Sequence, residues 1–361
     1  MENLSKEVSG TFDAAVKRSQ TLKLELQKKA NQHVVLTGDR PTGSLHIGHL
    51  FGSLQNRVEL QNLGVETFVV IADYQILTDR DSFDSISENI IELTLDYLAC
   101  GLDPKEHATH IFPHSHVPEL NQLLLPFLTL VTSAELDRNP TVKEEISVST
   151  LKNINAGMYT YPVHQAADIL FCKSTIVPVG KDQLPHIELT RTIAKRFNSR
   201  YASGKNIFNT PDALLSEAPL ILGLDGTQKM SKSRNNAIML KATPDDTVKL
   251  IKKAKTDSNR LITYDPEKRP EVSNLLMLAS LATSETPEVI ADQIGDGGSG
   301  KLKQYVSDSL NSYLEPIRKL RKEFASNKDY ARDVLHEGIN SARSVATSTL
   351  EEVRASMNMK F

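Results

Sequence analysis

Tryptophan is missing from this chain and cysteine is scarce, with none of the former and two of the latter in 361 residues. Cys100 and Cys172 stand in helical or apolar contexts without paired spacing, which argues against a disulfide framework and a cysteine-based metal site. A reduced, cytoplasmic setting is therefore expected. The absence of tryptophan carries little weight, because chance explains it sufficiently.

Long apolar runs and a strong net charge are lacking as well. No stretch approaches the ~20 apolar residues of a membrane span, and the N-terminal 20 residues lack the apolar core of a signal peptide. The formal net charge is −3, so contact with nucleic acid has to come from a local basic surface. Hydrophobic residues make up 39% and charged residues 24%, which is typical of a globular protein with an ample core.

Short apolar segments alternate with helical patterns along the first half of the chain. Strands are predicted at 33–38, 67–73, 108–112 and 175–179, and helices at 46–63 and 84–100. Near-continuous apolar strands separated by helices indicate a parallel α/β sheet. In such sheets ligands bind beyond the carboxyl ends of the strands.

The predicted fold class is α/β, with a Rossmann-type parallel sheet followed by an all-helical C-terminal domain. We expect an N-terminal helical arm over 1–32 and a core domain over 33–240, with a helical insertion at about 117–172. Residues 241–361 form the expected helical domain, which a Gly-rich break at 295–300 interrupts.

Two histidines flank a glycine after the first predicted strand, at His46-Ile47-Gly48-His49. One interpretation is that a strand ends, a turn follows and the imidazoles only cap the next helix. The other is that imidazoles and bare backbone bind an anion, because a helix N-terminus offers free N–H groups and positive potential. This motif alone leaves both interpretations open.

A second motif, Lys229-Met230-Ser231-Lys232-Ser233, follows the turn at residues 224–227. Solvent-exposed loops of lysine and serine are common, but five fixed residues of this kind arise by chance in only about one chain in ten thousand. In this order, on this predicted sheet, the two motifs resemble the HIGH and KMSKS signatures of class I aminoacyl-tRNA synthetases.

The resemblance implies that the protein activates an amino acid with ATP. A carboxylate attacks the α-phosphate and pyrophosphate leaves, so catalysis is mostly positioning and electrostatic stabilisation. His46 and His49 can donate hydrogen bonds to phosphate oxygens. Lys229 and Lys232, on a mobile loop, can hold the pyrophosphate as charge develops. These four residues are the expected catalytic groups, with ATP as a substrate accompanied by Mg²⁺ that bridges its phosphates.

The segment at residues 159–170, YTYPVHQAADIL, is similar to a helix of bacterial-type tryptophanyl-tRNA synthetases. Tyr161, Gln165 and Asp168 follow the spacing i, i+4, i+7 and share one helix face. A carboxylate there can accept the indole N–H, which can only donate. The alternative is that Asp168 is an ordinary buried acid paired with some donor.

The resemblance spans roughly residues 33–357 and also includes the runs VPVGKDQ (177–183) and HIELTR (186–191). It implies ATP contacts at Arg40, Pro41, Thr42, Gly48, His49, Lys143, Gly180, Lys181, Asp182, Leu220, Lys229, Met230, Ser231, Lys232 and Ser233. It further implies that Tyr161, Gln165 and Gln183 receive the amino and carboxyl groups of tryptophan, and that Asp168 receives its indole. A solvent-exposed helix lysine is an equally good interpretation of Lys143. No metal-ligating side chains are implied.

Three positions bear on the choice of amino acid. Gln165 stands where many bacterial tryptophanyl enzymes have methionine, and a glutamine there is usual in tyrosyl enzymes. Leu36 stands where tyrosyl enzymes use a tyrosine to bind the phenol, and leucine forms no hydrogen bond. Gln75 stands where a histidine is frequent, which affects the polar contacts on the indole side. The balance favours tryptophan over tyrosine.

The resulting hypothesis is a tryptophan–tRNA ligase that forms tryptophanyl-adenylate and transfers tryptophan to tRNA(Trp). The alternatives are a tyrosyl-tRNA synthetase, a synthetase-like regulator that binds without charging tRNA, and a nucleotidyltransferase of the same fold that uses another acid. Degenerate signature motifs would mark the regulator, and both motifs are intact here.

A cluster of cations, Arg318, Lys319, Arg321 and Lys322, lies in the predicted C-terminal helices. It could bind the tRNA anticodon stem electrostatically, although a solvent-exposed helix face is nearly as good an interpretation. A homodimer is implied by the resemblance alone. The expected partners are tRNA(Trp), L-tryptophan and ATP, and no membrane.

Overall fold

The protein is described by a computed structural model over residues 2–79, 85–148, 154–215 and 221–361. Within these residues one parallel sheet is built from β1 (Val34–Asp39), β2 (Glu66–Ile71), β3 (Thr109–Pro113), β4 (Ile176–Val179) and β5 (Asp212–Leu215). The spatial order is β3-β2-β1-β4-β5, so the chain winds outward from β1 in both directions. The predicted α/β class with a Rossmann-type sheet is confirmed.

Helices surround this sheet and make up most of the second half of the chain. Their bounds are α1 (Glu2–Lys29), α2 (Ile47–His49), α3 (Gln55–Asn62), α4 (Ile76–Asp79), α5 (Ile86–Ala99), α6 (Pro118–Asn121), α7 (Leu124–Leu128), α8 (Ser133–Asp137), α9 (Pro140–Val148), α10 (Ala156–Leu170), α11 (Leu184–Tyr201), α12 (Pro244–Lys253), α13 (Pro270–Thr283), α14 (Pro287–Ile294), α15 (Gly298–Ser326) and α16 (Lys328–Ser356). A π-helical segment, Leu50–Leu54, joins α2 to α3.

The sheet positions the polar residues that follow its strands. β1 pairs in parallel with β2 from Val34↔Glu66 to Asp39↔Ile71, and the strand interiors are apolar and buried on both faces. Asp73 and His114 therefore follow neighbouring carboxyl ends of β2 and β3. The chain thus brings polar groups to one edge, where α/β sheets bind ligands.

Two local expectations differ from the structure. β5, with the sequence DALL, was not predicted, because four residues with an acid at the start carry almost no periodic signal. The Gly-rich stretch at 295–300 is a break only in its first part, since residues 295–297 form a 3₁₀ turn and α15 already begins at Gly298. Glycine is tolerated there because the first turn of a helix needs few intrahelical hydrogen bonds.

The C-terminal helices pack directly on the sheet and its flanking helices. Gly338 of α16 lies so close to β3 that an added Cβ would be 2.0 Å from the carbonyl oxygen of Ile111. One buried apolar cluster contains residues from both sides of position 240, including Leu50 and Leu310. The division at residues 32 and 240 stays a prediction. Among the residues that the structure describes, no helix is both long and apolar enough to cross a bilayer.

Arg321 is a buried structural cation and not part of an exposed basic face. Its guanidinium donates to Asp96 Oδ1 at 2.5 Å and to Glu92 Oε2 at 2.7 Å. Asp96 Oδ2 also accepts the main-chain N–H of Leu45 at 2.6 Å, directly before the HIGH motif. Arg318 is likewise engaged, since it donates to Asn311 and to a threonine of α12. The idea that all four cations face tRNA is therefore wrong for these two arginines, whereas Lys319 and Lys322 are exposed.

We predict that Arg321→Met lowers the free energy of unfolding by about 3–5 kcal/mol, because it leaves the buried Asp96 carboxylate without its cation. Urea denaturation measures the change. Lys319→Met, on the exposed side of the same helix, is the matched control and is expected to change stability by no more than about 0.5 kcal/mol. Equal, small effects of the two substitutions would contradict the structural role of Arg321.

Candidate active site

Two adjoining cavities open at the carboxyl edge of the sheet. The first, of about 330 Å³, lies between β1, β4 and α10, and the second, of about 550 Å³, lies between the HIGH motif and residues 229–230. Thr37, Arg57, Gly180 and Gln183 line both. The cavities are therefore two compartments of one cleft, which we call the inner and the outer compartment.

Both histidines of the HIGH motif are neutral at physiological pH. Burial lowers the pKa of His46 to about 3, and the positive charges of Lys232 and Lys229 act in the same direction. Burial also lowers the pKa of His49, against the opposing charge of Asp39. His49 Nδ1 accepts the main-chain N–H of His46 at 3.3 Å, so its ring proton is on Nε2. A neutral imidazole of this tautomer can donate one hydrogen bond into the cleft.

Gly48 allows the two imidazoles to lie together, with ring centroids 3.8 Å apart. A Cβ at this position would lie 2.9 Å from His46 Nδ1 and would displace that ring. Among the described residues His46 Nδ1 has no hydrogen-bond partner although it is buried. A buried polar atom without a partner costs about 1–3 kcal/mol, so this nitrogen indicates a polar ligand in the outer compartment.

The KMSKS motif closes the outer compartment from the opposite side. Its first residues pair with residues 221–223 as a short hairpin. Asn236 Oδ1 then accepts the main-chain N–H of Ser231 at 2.8 Å. The ammonium of Lys232 donates to the carbonyl oxygen of Thr42 at 3.1 Å. The loop thereby contacts the turn that precedes the HIGH motif, as two parts of one site would.

Arg57 lies where the inner and outer compartments meet. Its Nη1 donates to Asp39 Oδ2 at 2.6 Å and its Nη2 to the carbonyl oxygen of Gly38 at 3.2 Å. The hydroxyl of Tyr97 donates to the same Asp39 oxygen at 2.7 Å. Burial would raise the pKa of Asp39, but Arg57 outweighs burial and brings it to about 2. A fixed ion pair therefore underlies the junction.

Tyr161 of α10 is oriented by a buried histidine. Asn139 Oδ1 accepts the main-chain N–H groups of Thr141 and Val142 at the start of α9, so its amide nitrogen faces His186 Nδ1, at 3.3 Å. His186 then carries its proton on Nε2, 3.1 Å from the hydroxyl of Tyr161. Burial lowers the pKa of His186 to about 4 and raises the pKa of Tyr161. Both groups are neutral hydrogen-bonding groups of the inner compartment.

Asp168 supplies the inner compartment with a buried carboxylate. Its Oδ1 accepts from His114 Nδ1 at 3.0 Å, and the two residues are 2% and 0% exposed. The alternative interpretation is thus correct in that Asp168 is paired with a donor, yet the same residue also lines the cavity. Leu36, Val70 and Ile169 line the apolar part of the compartment. An apolar wall beside the Asp168 carboxylate suits a flat apolar ring with a single N–H.

The structure brings most of the predicted site residues to the cleft. Lining one or both compartments are Arg40, His46, Gly48, His49, Tyr161, Gln165, Asp168, Gly180, Lys181, Asp182, Gln183, Lys229 and Met230. Pro41, Thr42, Ser231, Lys232 and Ser233 stand beside these in the two facing loops. Lys143 is exposed on α9, where Glu145 and not Lys143 reaches the inner compartment. Leu220 lies outside the described residues, next to Ile221, which lines the outer compartment.

Arg57, His114 and His186 were missed in the sequence. Arginine on a helix is normally exposed, so nothing in the sequence marks Arg57, which is 3% exposed. His114 did carry a usable signal, because it directly follows β3 at the edge where ligands bind. His186 stands in the HIELTR run, but its contact with α10 depends on tertiary packing.

Acid is predicted to destabilise the protein through His46. Its folded pKa of about 3 lies below the unfolded value of about 6.5, so the unfolded chain binds the proton first and stability falls as pH drops through that window. Between pH 7.5 and 5.5 this amounts to about 1.4 kcal/mol. His46→Asn should reduce the pH dependence of urea unfolding by that amount. An undiminished pH dependence in His46→Asn contradicts the prediction.

Comparison with known proteins agrees with this geometry. The family described as tRNA synthetases class I (W and Y) matches residues 28–315. A tryptophan–tRNA ligase of Clostridium longisporum is 43% identical over 341 residues, covering 91% of this chain and 98% of the relative. That of Lactococcus lactis is 42% identical over 338 residues, with the same coverage.

A solved structure is similar over most of the chain. The tryptophanyl-tRNA synthetase of Campylobacter jejuni, solved with ADP and tryptophan, superposes with a TM-score of 0.77 at 30% identity and covers 90% of this chain and 99% of its own. The chain belongs to the class I aminoacyl-tRNA synthetases of the tryptophan and tyrosine group and, within them, to the tryptophan–tRNA ligase family.

Proposed function

We propose that the cleft activates L-tryptophan with ATP and transfers it to tRNA(Trp), with tryptophan in the inner compartment and ATP in the outer one. The observation that carries this proposal is the continuity of the two compartments. One contains the buried Asp168 carboxylate beside the apolar side chains of Leu36, Val70 and Ile169, and the other contains residues of both signature motifs. The relative from Campylobacter jejuni that was solved with ADP and tryptophan supports the same pair of ligand classes.

The shared lining of the compartments is where the reacting groups meet. A carboxylate oxygen of tryptophan forms a bond to the α-phosphorus of ATP while the bond to the bridging oxygen breaks and pyrophosphate leaves. Gly180 and Gln183 border both ligands there. An added Cβ on Gly180 would lie 2.7 Å from Asp182 Oδ1, so a larger residue there would displace the Asp182 side chain. A ribose hydroxyl at the 3′ end of tRNA then attacks the carbonyl carbon and AMP leaves.

Negative charge that develops on the phosphates is stabilised by the two signature motifs. Lys229 and Lys232 supply cations from one side. His49 supplies a neutral Nε2–H from the other side, and His46 supplies a ring nitrogen that has no partner among the described residues. The two imidazoles do not neutralise the phosphate charge as cations, because burial lowers the pKa of both and keeps them uncharged. Lysine charge and imidazole hydrogen bonding are thus separate contributions.

Mg²⁺ enters this proposal as part of the MgATP substrate. Asp182 is the only carboxylate among the described residues that line the outer compartment, and its Oδ2 already accepts from the side chain of Gln183. The cations Arg57, Lys181 and Lys229 line the same compartment. Such a site suits an ion carried by the phosphates and water, which is the usual mode for Mg²⁺.

Tryptophan selectivity rests on the inner compartment. The indole N–H donates to Asp168, and Leu36 and Ile169 flank the ring. Tyr161, Gln165 and Gln183 receive the amino and carboxyl groups at the open end. The phenol hydroxyl of tyrosine would find no hydrogen-bond partner at Leu36, at a cost of about 1–3 kcal/mol. We further propose that the enzyme is a homodimer and acts in the cytoplasm, as the family resemblance implies. Sedimentation measures the oligomeric state.

Asp168→Ala is predicted to raise the KM for tryptophan at least about tenfold, because a buried charge-assisted hydrogen bond contributes about 1.5–3 kcal/mol. The KM for ATP should change by no more than about twofold. ATP–pyrophosphate exchange measures both values, and exposed Asp137→Asn serves as the control. An unchanged KM for tryptophan would remove Asp168 from the pocket. Exchange with tyrosine in preference to tryptophan would instead favour the tyrosyl alternative.

Lys232→Gln is predicted to lower kcat of pyrophosphate exchange by about 10²–10³-fold, because it removes a charge that stabilises the transition state. Equilibrium binding of tryptophan should be unaltered, since Lys232 lies on the loop of the outer compartment. Lys205 is exposed and lines neither compartment. Lys205→Gln is therefore the control for the loss of one positive charge. A normal kcat in Lys232→Gln would show that the loop does not act on the phosphates.

A further inference from the structure

A hydrogen-bonded network around Asp168 connects the carboxyl ends of β2 and β3 to α10. His114 follows β3 and donates through Nδ1 to Asp168 Oδ1 on α10, at 3.0 Å. Its Nε2 lies 3.1 Å from the main-chain N–H of Tyr74, which follows β2. Asp73, one residue earlier, accepts from both the main-chain N–H and the hydroxyl of Ser115. The ring of His114 is therefore clamped on both of its nitrogens and is fully buried.

The two contacts of His114 determine its tautomer. A main-chain N–H can only donate, so Nε2 has to be the unprotonated acceptor toward Tyr74. The single ring proton then lies on Nδ1 and points at Asp168. Asp168 consequently keeps one oxygen occupied by an N–H donor, and its second oxygen is the one that can accept from a ligand in the inner compartment.

The same residues have the spacing of a metal site, but their hydrogen bonds do not fit one. His114, His164 and Asp168 can place one ligand atom each within 4.8 Å of one another. A metal ion on His114 Nδ1 would move the proton to Nε2, against the N–H of Tyr74. His164 Nε2 is 2.6 Å from Asn121 Oδ1 and is held there. The hydrogen bonds of these three residues therefore favour a hydrogen-bonded cluster over a metal site.

We propose that His114 is a positioning residue for tryptophan selectivity, which acts by holding one oxygen of Asp168 so that the other faces the indole N–H. This inference rests on the proposed role of Asp168 in the inner compartment. His114 touches neither ligand, because its ring is completely enclosed. His114 fixes the orientation of the Asp168 carboxylate and keeps its second oxygen available as a hydrogen-bond acceptor. A ligand whose ring has no N–H forms no hydrogen bond with that oxygen, so its binding does not depend on this orientation.

The experiment compares tryptophan with β-(3-benzothienyl)-L-alanine, in which sulfur replaces the ring N–H, as substrates for pyrophosphate exchange. The selectivity is the ratio of kcat/KM for tryptophan to kcat/KM for the analogue. In His114→Leu we expect this ratio to fall at least about tenfold, since one charge-assisted hydrogen bond corresponds to about that factor. The KM for ATP should stay within about twofold. A loss of folding alone would lower both kcat/KM values together and leave their ratio unchanged.

Two polar substitutions keep the test decisive if His114→Leu does not fold. His114→Asn places an amide N–H near the position of Nδ1 and should keep the selectivity within about threefold of the wild type. His114→Gln extends the amide toward the position of Nε2 and should lose selectivity as the leucine variant does. Equal selectivity in the asparagine and glutamine variants would overturn the inference.

The wild-type protein separates failure of this inference from failure of the proposed function. A wild type that prefers tryptophan, with variants that keep the preference, refutes the role of His114 and leaves Asp168 as the indole acceptor. A wild type that uses the analogue as well as tryptophan refutes the contact between Asp168 and the indole, and the inference falls with it. A wild type that exchanges with neither compound refutes the proposed function itself.

Discussion

The buried contact of Arg321 with Asp96 and Glu92 is the interaction on which the arrangement of the cleft depends. Asp96 holds the C-terminal helix α15 through Arg321 and, with its other oxygen, the main-chain N–H just before the HIGH motif. Glu92 accepts from Arg321 and from Ser44 in the same turn. Removing either partner leaves charge without compensation in an apolar region. The position of the signature loop is therefore coupled to a helix more than 270 residues away in sequence.

The two compartments stabilise their ligands by different physical means. The outer one combines lysine charge with imidazoles that burial keeps neutral, so it offers both cations and uncharged donors for phosphate. The inner one has apolar walls, and its polar groups are fixed by partners behind them, as His186 fixes Tyr161. Arg57 and Asp39 separate the two with a pair that neutralises itself. Charge is thus available in the outer compartment, where we propose that ATP binds, and compensated at the inner one, where we propose that tryptophan binds.

The sheet, both motifs and the polar face of α10 were predictable from the sequence, because these features depend on local patterns. Near-continuous apolar strands predict a parallel sheet, and i, i+4, i+7 spacing places Tyr161, Gln165 and Asp168 together. Arg57 and Arg321 were not predictable in this way, because a buried arginine is identified only by the carboxylate that pairs with it across the fold. β5 escaped because four residues with an acid at the start show no periodicity. Lys143 was assigned from resemblance alone, and its exposed position on α9 offers no support for a phosphate contact.

Both outer strands of the sheet are covered by helices from the ends of the chain. On one side α1 packs against β5, where Ser19 Oγ accepts the main-chain N–H of Leu215 and Arg18 pairs with Asp212. On the other side α16 lies against the backbone of β3 at Gly338. Unpaired strand backbone is a template for intermolecular strand addition. Covering it with helices from the two ends of the chain leaves less strand backbone available for that route to aggregation.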